Sequence, residues 1–138
     1  MVFVLNGFCK FIGEFYLIML GLRTPIYKVS DLQKAKGWYS KVFKEKPYFD
    51  ESYYVGFTIK GYELGLMPEE NSKNKGDNVL SYWGVEKIEE TYMFFLDNGA
   101  TSHEKPMNVR GSLMVASVKD PWNNVIGLIY NPYFKLPK

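Results

Sequence analysis

An internal repeat constrains this chain more than any other feature of its sequence. The stretch from Arg23 to Phe43 opens with Ile26, Tyr27, Lys28 and Val29, side chains that suit a pleated strand. It then changes period. Leu32, Ala35, Tyr39, Val42 and Phe43 recur at helical spacing and form one apolar stripe. Ser30, followed three residues later by Gln33, predicts a capping box at the helix start. The same unit returns from Leu80 to Leu96, as a strand ending at Val85 and a helix with Ile88, Tyr92, Phe95 and Leu96 on one face. Asn98-Gly99 follows where a helix C-terminal cap is expected, because Gly takes a left-handed backbone without strain. Val29-Ser30-Asp31-Leu32 aligns with Val85-Glu86-Lys87-Ile88, and Tyr62–Pro68 resembles Asn124–Tyr130 with its following Asn131-Pro132. Two diverged copies of one unit are the simplest reading.

Taken in order, each copy predicts one strand, one helix and three more strands. In the first, Lys46–Phe49 is a short edge strand, since Pro47 has no N–H to donate. Tyr53–Ile59 and Tyr62–Met67 form a hairpin about the Lys60-Gly61 turn. The polar segment Pro68–Asp77 links the copies. In the second, a strand at about Leu80–Val85 precedes a helix at Glu86–Asp97. A short strand within Thr101–Lys105 follows, then Ser112–Val118, a turn at Asp120–Asn124 and a last strand at Val125–Tyr130. The expected fold is therefore α+β, two βαβββ repeats, because three strands in succession after each helix do not fit a doubly wound parallel sheet. The halves are expected at about 22–68 and 79–132 within a single domain at 21–138, preceded by an N-terminal extension at 1–20.

The extension, MVFVLNGFCKFIGEFYLIML, is apolar but broken by Lys10 and Glu14. It suits neither a secretory peptide nor a membrane span. It reads as an extra element packed on the domain or on a second copy, or, with Met19 as the start, as an upstream addition. With 138 residues the chain has one domain's length, and its 46% hydrophobic content is enough to fill a core. A net charge of +2, with basic residues dispersed, argues against nucleic acid as a partner, and the sequence offers nothing for a membrane. The one cysteine, Cys9, cannot form an internal disulfide and fits a reducing, cytoplasmic setting.

Four segments in sequence resemble the vicinal oxygen chelate superfamily, which includes glyoxalase I, bleomycin-resistance proteins, fosfomycin-resistance enzymes and extradiol dioxygenases. They are Val29–Tyr39 (VSDLQKAKGWY), Gly84–Thr91 (GVEKIEET), Leu96–Ala100 (LDNGA) and Lys119–Ile129 (KDPWNNVIGLI). The last is similar to the family's D-P-x-G-N-x-I-E-L. The resemblance covers most of Leu22–Pro132. It implies that each half forms a curved sheet, that the halves make a ligand cleft, and that the protein is a homodimer.

The resemblance also implies four pseudo-symmetric metal-ligand positions, which fall here on Thr24, Gly65, Leu80 and Gly127. None suits a divalent metal, which needs converging N or O donors. A two-His-one-carboxylate iron site requires two histidines, and the chain has one, His103, read as solvated in a polar strand edge or loop. No metal and no cofactor are therefore expected. The two glycines are expected to leave room for a ligand ring or chain. Alternation along the strands then puts Ile26, Lys28, Glu63, Met67, Tyr82, Val125 and Ile129 on the cleft faces. Pro25, Tyr27, Leu64, Leu66, Trp83, Val85, Ile126 and Leu128 fall on the core side. Thr24, Ile26, Lys28, Glu63, Met67, Leu80 and Tyr82 are the expected contacts for a small organic ligand.

Glu63 is the one catalytic candidate, as a general base, or alternatively the holder of a ligand amine. Its plainer reading is a strand-end carboxylate turned to water or paired with Lys28. Arg110 reads as a surface turn residue in preference to an anion anchor, and Trp38 and Tyr39 as packing residues. The function expected is metal-free binding of a small organic molecule. The alternatives are a lyase- or dioxygenase-like enzyme with atypical or no metal ligands, and an interaction protein whose cleft its own side chains fill.

Overall fold

The structure is a computed structural model that describes residues 19–70, 74–76 and 78–136. Most of the expected N-terminal extension, Cys9 included, lies outside the described residues, as do positions 71–73 and 77 of the linker. The elements are β1 (Ile26–Val29), α1 (Leu32–Phe43), β2 (Phe49–Glu51), β3 (Tyr54–Ile59) and β4 (Tyr62–Pro68). The order then repeats as β5 (Tyr82–Gly84), α2 (Ile88–Asp97), β6 (Thr101–Arg110), β7 (Leu113–Lys119) and β8 (Val125–Tyr130).

The repeat holds at the level of pairing. One sheet has the order β1-β4-β3-β2 and the other β5-β8-β7-β6. In each, the first strand runs parallel to the fourth, with Ile26 opposite Gly65 and Tyr82 opposite Gly127. The remaining pairs are antiparallel. Among the described residues no helix is long and apolar enough to cross a membrane.

Several boundaries differ from the sequence reading, each for a local reason. The N-cap of α1 is Asp31, not Ser30: its backbone is still extended and its carboxylate accepts from the Lys34 N–H at 3.1 Å. The helix α2 begins at Ile88, after Lys87, which makes no side-chain cap. The strand β2 lies three residues beyond the expected Lys46 start, and β5 is shorter than its apolar run suggested. The strand β6 is far longer than the short segment expected. It tolerates Pro106 because it is an edge strand whose register shifts three times, and bulged edges need fewer ladder donors.

The core lies on the helix side of both sheets. Tyr27, Val29, Leu64, Leu66, Ile126 and Leu128 are buried there, as alternation predicts, with Trp83 and Val85 partly buried against them. An aromatic chain crosses between the halves. Tyr39 stacks on Tyr27 and Phe43, and Trp38 meets Phe95 and Trp122 edge to face at 6.1 and 6.2 Å. Trp38 and Tyr39 pack as expected, and each also bonds across to the second half. The Trp38 indole N–H donates to the Asn98 carbonyl at 2.6 Å, satisfying an orphan carbonyl at the end of α2. The Tyr39 hydroxyl donates to Asp120 at 2.6 Å. Buried Asp120 also accepts from the N–H groups of Trp122 and Asn124 at 2.8 Å each. Asn124 in turn donates to the Lys28 carbonyl at 2.9 Å. The Asp120–Asn124 turn is thus the main polar tie between the halves.

Candidate functional site

Among the described residues, the face of each sheet turned away from the helices has exposed side chains at its margin. Across the first sheet, Ile26, Gly65, Gly56 and Phe49 are cross-strand partners and so share that face. Across the second, Tyr82, Gly127, Ser117 and Glu104 form the corresponding row. Ile26 and Tyr82, on the edge strands β1 and β5, are 46% and 41% exposed, whereas Gly56, Gly65, Ser117 and Gly127 on the inner strands are buried. The hydrogen bonds and ring contacts that join the halves lie on the opposite, helix side.

On the first face, Gly56 and Gly65 stand directly opposite each other on β3 and β4. Two side chains enter the dent they leave, from neighbouring strands. Tyr54 lies over Gly65, where an added Cβ would overlap its hydroxyl. Glu63 lies over Gly56, where an added Cβ would come within 2.8 Å of its Oε2. The two side chains meet: Tyr54 donates to Glu63 Oε2 at 2.7 Å, and Tyr48 donates to both carboxylate oxygens at 2.9 Å. Burial pushes the Tyr54 hydroxyl well above its usual range, and the bond to Glu63 adds to the rise. For Tyr48 that bond is the main cause of a smaller rise. Both phenols therefore stay protonated and donate at neutral pH.

This arrangement corrects two expectations. Glu63 is neither loose in water nor paired with Lys28. Lys28 sits opposite Met67, four residues along β4, while Glu63 is held by two tyrosines. Nor does Gly65 leave room for a ligand, because the Tyr54 ring occupies that space. Gly127 leaves none either: a Cβ there would lie 2.5 Å from the Ser81 carbonyl, whose oxygen accepts the Gly127 N–H, and 2.8 Å from the Tyr82 ring.

On the second face a β-bulge between Ser102 and Glu104 brings consecutive residues toward one partner. His103 Nδ1 lies 2.8 Å from Ser117 Oγ, and Ser117 Oγ donates to Glu104 at 3.2 Å. With the serine proton directed at Glu104, the histidine Nδ1–H is the donor in this contact. His103 is therefore half-buried and hydrogen-bonded, not the solvated residue expected. Burial, with Glu104 nearby, raises the Tyr82 hydroxyl above its usual range. The serine hydroxyl carries no accessible surface, which keeps it from acting as a nucleophile.

The sequence-predicted contacts divide between these faces. Ile26 and Lys28 are exposed on β1, and Glu63 and Met67 are half-buried on β4. Tyr82 lies on the other sheet. Thr24 and Leu80 are half-buried just ahead of β1 and β5. Sequence reasoning missed Tyr48, Tyr54 and Ser117. A signal existed for the first sheet: a two-residue turn at Lys60-Gly61 fixes the register that puts Gly56 opposite Gly65. At the four positions implied for metal ligands the fit is poor, since two are glycines whose space is taken and one is Leu80. Among the described residues no three His, Cys, Asp or Glu side chains group to hold a metal ion.

Residues 22–128 match the model of the Glyoxalase/Bleomycin resistance protein/Dioxygenase superfamily. No curated protein matches the sequence. Among solved structures, a glyoxalase-related enzyme from Fulvimarina pelagi is similar with a TM-score of 0.71 at 13% identity, over 86% of this chain and 94% of that one. The genomically encoded fosfomycin resistance protein FosX from Listeria monocytogenes gives 0.69 at 19% identity, over 84% and 97%. A glyoxalase/bleomycin resistance protein/dioxygenase family enzyme from Burkholderia phytofirmans gives 0.66 at 16%, over 78% and 95%. At these identities the structural likeness establishes the fold.

Proposed function

The chain belongs to the glyoxalase/bleomycin resistance protein/dioxygenase superfamily, and from that premise we propose that it binds a small organic molecule on the sheet faces turned away from its helices, without metal chemistry. The observation that carries this reading is the make-up of those faces. They expose large apolar and aromatic side chains, Ile26, Phe49 and Tyr82 among them, around a few oriented polar groups. That mixture suits an organic ligand with one or two polar handles. Of the positions at which the family resemblance calls for metal donors, Thr24, Gly65, Leu80 and Gly127, only Thr24 has an oxygen in its side chain.

Among the described residues each face keeps an exposed margin, and a second copy of the chain laid on it would enclose a ligand on two sides. A cytoplasmic homodimer binding a small molecule, with neither nucleic acid nor membrane as partner, is the form proposed. A thermal-shift screen tests it, using divalent metals, glutathione adducts, aromatic antibiotics and aromatic metabolites. An organic compound that raises the midpoint and perturbs amide signals of β1, β4 or β5 supports the reading. One equivalent of zinc, nickel, manganese or iron surviving dialysis overturns it.

A further inference from the structure

On the first sheet's face turned away from the helices, we infer that Glu63 and the rings around it form a site for an organic ammonium ion. The site consists of the Glu63 carboxylate and the aromatic rings of Tyr48, Phe49, Tyr53 and Tyr54. Phe49 is the hub, with ring centroids 6.4, 6.1 and 6.0 Å from those of Tyr48, Tyr53 and Tyr54. Tyr48 and Tyr53 are each 61% exposed and Phe49 lies at the edge of exposure, so these rings border open solvent instead of filling the core. This inference rests on the reading of that face as a ligand surface and adds the chemical class of the ligand.

Charge selects the class. The two ion pairs among the described residues are Lys36–Asp50 and Lys75–Glu69. Of the two acids on β2, Asp50 is already paired with Lys36, whereas Glu51, opposite Tyr54, and Glu63 have no cationic partner among the described residues. The two hydrogen-bond donors to Glu63 are phenols, which orient the carboxylate without cancelling its charge. A carboxylate accepts about four hydrogen bonds, so one primary ammonium can still be received after the tyrosines are satisfied. The surrounding ring faces are negative and attract a cation, most strongly when water is partly excluded. An anion would be repelled by the same groups. A neutral ligand would leave the carboxylate without a countercharge. The glycine pair below matters because it lets Glu63 and Tyr54 lie flat, which fixes the carboxylate among the rings rather than on a mobile stem.

The test uses three probes of one shape, benzylammonium, benzyl alcohol and benzoate, titrated into isotopically labelled full-length protein and followed by amide chemical shifts. Benzylammonium is expected to bind with its largest shifts at residues 48–56 and 62–65, at least about tenfold tighter than the alcohol, with benzoate weakest. Glu63→Gln should remove that preference. Tyr53→Ala, which breaks no hydrogen bond, should weaken benzylammonium about threefold and leave thermal stability unchanged, so a fold defect cannot imitate the result. Equal binding of alcohol and ammonium at this face overturns the cation assignment while leaving the small-molecule reading intact. Shifts confined to other surfaces, or no benzylammonium binding, overturn it as well, and the wider ligand screen then judges the small-molecule reading separately. An unchanged benzylammonium affinity in Glu63→Gln overturns the role of the carboxylate.

Discussion

In the first half the β3–β4 hairpin closes through Lys60 and Gly61, both with positive φ, the geometry that matches a twisted ladder in the fewest residues. In the second half the β7–β8 hairpin closes through the longer Asp120–Asn124 segment. The ladders on either side are equivalent, so the extra residues are not needed to join the strands. They carry Asp120 and Asn124 to α1 and β1 of the other half. One copy of the unit has a turn that only closes a hairpin, and the other has a turn that fastens the two copies together. A duplicated backbone thus leaves each turn free to specialise, provided the strand register survives.

The largest test of that contrast is to remove each turn's leading side chain. Asp120→Ala strands the buried Tyr39 hydroxyl and two backbone N–H groups, and should cost about 3–5 kcal/mol by urea denaturation. Lys60→Ala, at an exposed position, should stay within about 0.5 kcal/mol. Comparable losses would mean that the tie between the halves lies elsewhere. The matched glycines come next. Gly127→Ala pushes a methyl against the Ser81 carbonyl, a backbone group held by the Gly127 N–H just ahead of β5, and should cost about 3 kcal/mol. Gly65→Ala meets the outer end of Tyr54, which can swing away, and should cost about 1 kcal/mol while loosening Glu63. If the order reverses, the two glycines do not differ as described.

The same contrast marks how much was legible beforehand. The core side followed from period-two alternation at Tyr27/Val29, Leu64/Leu66 and Ile126/Leu128, which a backbone obeys whatever its neighbours. The site did not follow. Gly65 and Gly127 occupy one pseudo-symmetric position, and sequence gave both the same meaning. Both make room for a tyrosine from the adjacent strand, Tyr54 and Tyr82, but a Cβ at Gly127 would also meet the Ser81 carbonyl, whereas the nearest atoms at Gly65 all belong to Tyr54. That distinction depends on how closely neighbouring groups approach each glycine. The His103–Ser117–Glu104 contact was hidden similarly, because an inserted bulge residue cancels the alternation on which face assignment relies.

Alkaline titration sharpens the asymmetry within the core. The core hydroxyls with raised pKa, Tyr27 and Tyr39, both belong to the first half. Burial is the main cause for each: it pushes Tyr27 up to about 12, with the Trp83 bond partly opposing, and raises Tyr39 well above its usual range. A folded pKa above the unfolded value of 10.0 means that the native chain keeps a proton the unfolded chain has released. The stabilisation is fully present below pH 10 and is lost as pH rises toward 12. For Tyr27 the two-unit gap amounts to roughly 2–3 kcal/mol, and Tyr39 acts in the same direction. Urea midpoints measured from pH 9 to 12 should fall steeply, and Tyr27→Phe should flatten part of the fall. An identical slope in the variant would refute the assignment.

The smallest effect separates the two helix starts. Both helices begin at the same corner of the repeat, yet Asp31 caps α1 through its carboxylate while Lys87 gives α2 no side-chain cap. Removing the first cap by Asp31→Ala should cost about 1 kcal/mol. Placing the same group in the second copy, by Lys87→Asp, should return a similar amount. It supplies the missing acceptor and replaces a cation at the positive end of the helix dipole with an anion. Glu89 and Glu90 already put two negative charges in that first turn, so the gain from charge alone will be reduced and a neutral Lys87→Ser separates capping from charge. If Ser stabilises as much as Asp, the missing hydrogen bond is what distinguishes the copies here. If only Asp stabilises, the difference is electrostatic, and if neither does, the α2 corner departs from that of α1 despite the shared register.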